Sequence, residues 1–264
     1  MKKTKYILLL TLSALSFYIT DKVLIFIDEQ KPLMKEIKLN ASKYETVPVN
    51  SVIENNTIIP GLNGKEIDYK KSLVKMENFN AFNENFLKFN DITPEISLED
   101  NKDKIIIKGN PKKRSVSLIL EQDKEKEEYL ENYNIKYDIL SSLDTDFTKE
   151  REYLNGYKDK ENYDALETIL KKHKINSHIC TTMHNDYDYC LKKEHYIVLL
   201  TNENLLVNEI INKISSGSII YIPKTMKLVN LKLIISEIER QDLKIIFLST
   251  LISEKIWYNF KTLL

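Results

Sequence analysis

Apolar residues near the C-terminal end of the sequence follow two different periods, which predict the order of the elements there. Residues 218–222 form a short apolar run rich in β-branched side chains, bounded by Gly217 and Pro223, as is typical of a buried strand. Further on, apolar residues recur at i, i+3, i+4 and i+7, one face of an amphipathic helix. That face consists of Leu231, Ile234, Ile235 and Ile238. A second apolar run at 244–248 completes a strand–helix–strand unit, which predicts parallel strands and an α/β fold.

The beginning of the sequence combines basic residues with an uncharged apolar stretch. Three lysines precede residues 6–20, which carry no charge, and after Asp21 and Lys22 residues 23–27 are apolar again. This length suffices for a helix across a bilayer. We predict a retained anchor at 1–28 in the cell membrane, with a cytoplasmic N-terminus and an extracytoplasmic remainder; a cleaved signal peptide is the alternative. The anchor residues are Tyr6, Leu8, Leu9, Leu10, Leu12, Leu15 and Phe17.

The next hundred or so residues are more polar. Residues 29–48 are rich in lysine and have little periodicity, which predicts a polar stalk. Residues 49–111 are predicted to form a small α+β accessory module, because Asn55-Asn56 between two apolar pairs indicates a hairpin and residues 69–76 indicate a short helix. The remaining residues, 112–264, are predicted to form the main α/β domain.

Charge and composition exclude one class of partner. Lysine and arginine together number 39, as do aspartate and glutamate. A nucleic-acid-binding surface needs an excess of positive charge or a basic stripe, so we expect no nucleic acid partner. Fifteen tyrosines suit a surface that contacts sugars, although tyrosine is also an ordinary half-buried strand residue.

The C-terminal unit resembles the end of a polysaccharide deacetylase domain. The resemblance rests on Gly217-Ser218-Ile219-Ile220, the helix after it and the closing segment 243–251; residues 115–120 resemble the first barrel strand of that family and 134–140 its second. It covers about the last 150 residues. The resemblance implies a shortened, distorted (β/α) barrel of the polysaccharide deacetylase type, preceded here by the α+β module and the transmembrane helix. It also implies peptidoglycan or another envelope polysaccharide as partner.

The catalytic motifs of that family are altered. Its first strand ends in two adjacent aspartates, a general base and a ligand of a divalent metal. The candidates here are Glu121 and Asp123, with Gln122 between them. Pro223 stands where the family has a histidine that acts as general acid, and proline cannot transfer a proton. The family's His-x-x-x-His pair of metal ligands has no counterpart in this sequence.

One other cluster carries potential metal ligands. His178, His184 and Asp186 could bind zinc or another divalent ion, although their spacing matches no standard pattern and a polar turn is the alternative. Cys180 and Cys190 could form a disulfide in an exported protein, or remain unpaired.

These departures favour a noncatalytic envelope protein that binds glycan or an envelope partner and needs no cofactor. One alternative is an active deacetylase of N-acetylated envelope glycans that uses zinc or another divalent metal. Another is a purely structural, membrane-tethered module. Metal-binding carboxylates that converge with His184 would favour the active deacetylase, and an aromatic-lined groove would favour the noncatalytic binding protein.

Overall fold

The computed structural model describes residues 2–147, 151–175, 177–183, 187–202 and 205–255. The chain divides into two compact units, one formed by residues 1–48 and 64–92 and the other by residues 49–63 and 93–264. The helices are α1 (Lys2–Gln30), α2 (Pro32–Asn40), α3 (Tyr69–Glu77), α4 (Lys124–Asn132), α5 (Lys160–Lys172), α6 (Asp188–Lys192), α7 (Val207–Lys213), α8 (Leu228–Arg240) and α9 (Leu248–Ile252). The strands are β1 (Val52–Glu54), β2 (Thr57–Ile59), β3 (Gly64–Ile67), β4 (Phe89–Ile92), β5 (Ile105–Ile106), β6 (Ser115–Glu121), β7 (Asp138–Ser141), β8 (Glu152–Tyr157), β9 (Ile179–Thr182), β10 (Tyr196–Leu199), β11 (Ile219–Ile222) and β12 (Lys244–Ile245).

Helix α1 has the length and composition of a membrane span. Its segment 10–30 has a mean hydropathy of 1.6, and none of the segment is buried within the protein. The predicted anchor residues whose side chains are described are all exposed; they are Tyr6, Leu10, Leu12, Leu15 and Phe17. The structure does not describe the side chains of Leu8 and Leu9.

The segment predicted to be a polar stalk is largely helical instead. Helix α2 begins with a proline, which has a backbone angle suited to the first helical position. It buries Met34 and Ile37 in a small core that also contains Leu73 and Met76 of α3 and Ile67 of β3. Two buried residues three positions apart are enough to hold a helix of this length to a core, but they are too few to stand out from a lysine-rich background.

The second unit is built on one large, mostly parallel sheet. Its strand order is β1-β2-β5-β10-β9-β8-β7-β6-β11, and β12 pairs with the beginning of β6. Only the β1–β2 hairpin is antiparallel among the pairs of this sheet in the described residues, and Asn55 at its turn has the positive φ that such turns require. The path ends at β1 and at β11, so the sheet is a curled half-barrel. This is the predicted α/β class with a shortened, distorted barrel.

Two apolar cores cover the faces of this sheet. One lies under the helices and includes the four predicted residues of α8, of which Leu231, Ile234 and Ile238 have no exposed surface. The other contains Ile119, Leu154 and Val198 of the strands and is covered by Leu248 and Leu251 of α9. The predicted face of α8 is therefore confirmed.

Two predicted boundaries differ from the structure. Residues 49–111 are not one module, because β1, β2 and β5 pair within the large sheet whereas 64–92 belong to the first unit. The predicted closing strand 244–248 is only β12, and Leu248 begins helix α9. A short apolar run does not by itself distinguish a strand from a helix, and the apolar spacing Leu248, Leu251, Ile252 fits a helix.

Candidate functional site

The carboxyl ends of six parallel strands, β6 to β11, surround a cavity of about 570 Å³. Ligands of α/β proteins bind at this end of the sheet, because the loops that follow the strands converge there. We call this cavity the carboxyl-end cleft. It is lined by Glu121, Gln122, Leu140, Ser141, Ser142, Asp144, Gly156, Tyr157, Lys158, Asn162, Thr181, Met183, Leu200, Tyr221 and Lys224.

Glu121 and Gln122, at the end of β6, each hold a neighbouring segment. The Lys224 backbone N–H donates to Glu121 Oε2 at 2.8 Å. The Gln122 amide forms two hydrogen bonds with the backbone of Asp146, accepting from its N–H at 3.0 Å and donating to its carbonyl at 3.3 Å. Both side chains therefore stabilise the rim of the cleft.

Asp123, the second candidate, is the N-cap of α4 and is not among the cleft residues. Its side chain accepts hydrogen bonds from the backbone N–H groups of Glu125 and Lys126 and pairs with Lys126 Nζ at 2.6 Å. Burial of Asp123 disfavours its charged form, but the hydrogen bonds from Lys126 outweigh this and lower its pKa. The carboxylate is thus satisfied locally as a helix cap.

The described cleft residues do not form the metal site of a deacetylase. The carboxylates among them are Glu121 and Asp144, and Asp144 accepts from the Ser142 hydroxyl at 2.6 Å. In the described ranges, no group of three or more His, Cys, Asp or Glu is placed to hold a metal ion. The predicted ligands His184 and Asp186 lie outside the described residues. The described donors do not fit the Asp and two His of the family, so we derive no step through a metal.

His178 lies away from the cleft. It directly precedes β9, at the amino end of the sheet, and its ring lies 5.8 Å from that of His195. The strand itself separates His178 from the carboxyl end. His178 therefore cannot share a metal ion with cleft residues, a relation that sequence spacing alone did not reveal.

Cys180 of β9 and Cys190 of α6 form a disulfide, with their Cα atoms 6.1 Å apart. Both residues are completely buried, in a cluster with Tyr163 and Ile197. The disulfide holds α6 against the sheet.

Strand β8 contributes cleft residues that the sequence pattern did not indicate. Asn155-Gly156 reads locally as a turn signal, which hides the strand around it. A Cβ atom at Gly156 would lie 2.9 Å from Leu140 Cδ1, closer than van der Waals contact allows. Glycine at this position avoids that contact with Leu140, and Tyr157 and Lys158, which follow it, also line the cleft.

Comparison of the whole fold identifies its class. The structure is similar to the crystal structure of wild-type BA3943 from Bacillus anthracis, a CE4 family pseudoenzyme, with a TM-score of 0.57 and 18% identity over 86% of this chain and 97% of that chain. It is also similar to a BA3943 mutant with restored enzymatic activity, with a TM-score of 0.59 and 18% identity over 86% of this chain and 100% of that one. The fold is therefore that of carbohydrate esterase family 4, the polysaccharide deacetylases, as predicted from residues 217–251.

In sequence, the chain is 30% identical over 149 residues to the uncharacterized protein YlxY of Bacillus subtilis. The matched region covers 56% of this chain and 44% of YlxY, so the chain spans less than half the length of that relative. No protein-family profile matches the sequence.

Proposed function

We propose that this protein is a noncatalytic envelope protein of the deacetylase fold, anchored in the cell membrane by α1, that binds glycan in its carboxyl-end cleft. The observation that carries the proposal is the lining of this cleft. It lies where this fold class binds its substrates, but its side chains suit recognition of sugar hydroxyl groups better than hydrolysis.

The polar lining is mostly neutral. Gln122, Ser142 and Asn162 offer amide and hydroxyl groups, and Tyr157 offers an aromatic ring at the same opening. The buried Ser141 hydroxyl has no hydrogen-bond partner in the described part of the chain. Sugar hydroxyl groups both donate and accept, so they match such side chains, and a volume of about 570 Å³ lies within the usual range for ligand sites.

Deacetylation needs groups that the described residues of the cleft do not combine. Hydrolysis of an acetamide requires an activated water, stabilisation of the tetrahedral intermediate and an acid for the leaving nitrogen. Glu121 and Asp144 are the candidate bases among the described lining residues, and Pro223 follows β11 at the position of the acid. The description of wild-type BA3943 as a pseudoenzyme supports the same interpretation for this chain.

Two features support a location outside the cytoplasm. Basic residues precede the apolar stretch of α1, which favours a cytoplasmic N-terminus and an exported remainder. The Cys180–Cys190 disulfide suits an oxidising compartment. Protease added to intact spheroplasts should therefore digest the domain that follows α1; protection of that domain would contradict the orientation.

The binding test uses the full chain in lipid nanodiscs. Calorimetric titration with oligomers of N-acetylglucosamine should detect binding, and Asn162→Ala should weaken it about tenfold through loss of hydrogen bonds. The matched control is Asn208→Ala, near the start of α7 and outside the cleft lining, which should bind as wild type does.

Release of acetate decides between binding and catalysis. The wild-type protein should release none from these oligomers, with or without added zinc or cobalt. Activity that a chelator and His184→Ala both abolish would replace this proposal by the metal-dependent deacetylase. Absence of both binding and activity would favour the purely structural module.

A further inference from the structure

A second and larger cavity, of about 750 Å³, lies at the opposite end of the same sheet. It is bounded by the amino ends of β8, β9 and β10 and by α9 and the residues that follow it. We call it the amino-end cavity. Its lining includes Asn63, Glu152, Tyr153, Ile179, Phe247 and Ile252.

The walls of the amino-end cavity are mainly apolar. Tyr153 and Ile179 lie on neighbouring strands, and Phe247 and Ile252 enclose them from the α9 segment. Apolar walls with a few converging polar groups, in a volume between about 300 and 1,000 Å³, are typical of sites for small organic molecules.

Two side chains that line this cavity have acceptor oxygens that can receive further hydrogen bonds. Asn63 is nine-tenths buried, and its Oδ1 has no hydrogen-bond partner among the described residues. The Glu152 carboxylate accepts one hydrogen bond, from the Ser249 hydroxyl at 2.9 Å. Arg151 also lies in the lining, but its guanidinium pairs with Glu127 and Glu131 of α4. Asn63 Oδ1 and the Glu152 carboxylate can therefore still accept hydrogen bonds from a bound molecule.

Behind Glu152 lies a second carboxyl group. Asp138 pairs with Glu152 across neighbouring strands and has no exposed surface. Its Oδ2 accepts hydrogen bonds from the Ser117 hydroxyl and the Leu248 N–H, both at 2.9 Å, whereas its Oδ1 has no donor in the described part of the protein. Burial of this oxygen without a donor disfavours the charged form of Asp138, and the charge of Glu152 on the neighbouring strand disfavours it further.

We propose that the amino-end cavity binds a small organic cation, with its apolar body against Tyr153, Ile179 and Phe247 and its ammonium group at Glu152. An ammonium group supplies three hydrogen-bond donors and a positive charge, which suit the Glu152 carboxylate and the Asn63 amide oxygen. A neutral molecule of the same shape would fill the cavity but would leave the Glu152 carboxylate without a positive partner.

Such a cation would favour loss of the proton from Asp138. Burial, and secondarily the charge of Glu152, raise the pKa of Asp138 well above its usual value. A positive charge beside the pair favours the ionised form, so binding should release a proton to the solvent and affinity should rise with pH. The other titratable or charged groups among the described residues that line this cavity are Glu99, Arg151, Tyr153, His178, Tyr196, Glu254 and Lys255.

The test compares two ligands of equal size on the full chain in nanodiscs. Tryptamine carries an indole and a primary amine, and tryptophol carries a hydroxyl in place of the amine. Calorimetry should show that tryptamine binds about tenfold more tightly than tryptophol, and Glu152→Gln should remove that difference. Glu121→Gln, in the carboxyl-end cleft, is the matched control and should preserve it.

Two further measurements locate the binding site and detect the proton released on binding. Ile175 lines the amino-end cavity, and Ile175→Trp should occupy part of its volume. This variant should bind both ligands more weakly and should change the denaturation midpoint little. Titrations in buffers of different ionisation enthalpy should show proton release on tryptamine binding, and His178→Gln should retain that release. Equal affinity for the two ligands, no binding of tryptamine, or a preference that survives Glu152→Gln would each overturn the proposal.

Discussion

The two ends of the large sheet differ in how their charged groups are used. At the carboxyl end, Glu121 and Gln122 accept hydrogen bonds from loop backbone at the rim, and most polar groups of the lining are neutral. At the amino end, Asp138 is completely buried, and burial, with the nearby charge of Glu152, raises its pKa well above the usual value. The comparison shows that the sheet topology decides which side chains lie at each end, whereas burial decides which end carries an acid with a strongly shifted pKa.

Lys113, which is buried, and Glu254 add to this difference, because their hydrogen bonds connect the α9 region to the amino end of the sheet. Lys113 Nζ donates to the carbonyl groups of Thr250 and Ser253. Glu254 Oε1 accepts from the Ser51 hydroxyl and from the backbone N–H of Gly61 and Leu98, at 2.8–3.0 Å. The amino end therefore combines a candidate ligand cavity with contacts that stabilise the fold.

The largest expected effect is on stability at the amino end. Lys113→Met should lower the free energy of unfolding by about 1–3 kcal/mol, because two carbonyl groups at α9 lose their charged donor. Urea denaturation measures it, and the exposed neighbour variant Lys112→Met is the matched control, which should change little. If both variants unfold at the wild-type midpoint, the contacts of Lys113 do not stabilise this end.

A second prediction concerns the pH dependence of stability. The pKa of Asp138 is raised in the folded protein, so its contribution is full below the unfolded pKa of about 3.9 and is lost as pH rises through the folded pKa. His195 and Lys113 act in the opposite direction, because burial lowers the pKa of His195 and lowers that of Lys113 to about 8. The difference between wild type and Asp138→Asn isolates the aspartate.

Denaturation midpoints should be measured for both proteins from about pH 4 to pH 7.5, below the pKa of Lys113. Relative to Asp138→Asn, the wild-type protein should lose stability as pH rises. Parallel curves for the two proteins would mean that Asp138 has the same pKa folded and unfolded, and the two ends would then differ less than inferred here.

The smallest expected effect is at the carboxyl end. Asp123→Ala should cost about 1 kcal/mol, the usual value of an N-cap, and should leave binding of N-acetylglucosamine oligomers unchanged. Asp123→Ser, which can still cap α4, should recover most of that stability. Loss of oligomer binding in Asp123→Ala, with the midpoint of Asp123→Ser restored, would instead assign Asp123 to the cleft.

Local periodicity was sufficient to predict an element wherever the pattern lies within a single segment of the chain. The four apolar residues of α8, the hairpin at Asn55-Asn56 and the long apolar helix α1 could all be predicted, because each depends on neighbours within a few positions. The order of elements at 217–251 also indicated the deacetylase fold. Helix α2 was not predicted, because its two buried residues are recognisable only from the core that they join, which is built from distant segments.

Tertiary structure alone decided the chemistry of the two ends. Glu121 and His178 are both polar residues at strand ends, but Glu121 is the last residue of β6 and His178 precedes β9, so they lie at opposite ends of the sheet. Asp138 shows no sequence signal that separates it from a surface aspartate, and its partner Glu152 is brought beside it by strand pairing. A side chain's pKa and ligands depend on which distant segments enclose it, and periodicity along the chain carries no information about that enclosure.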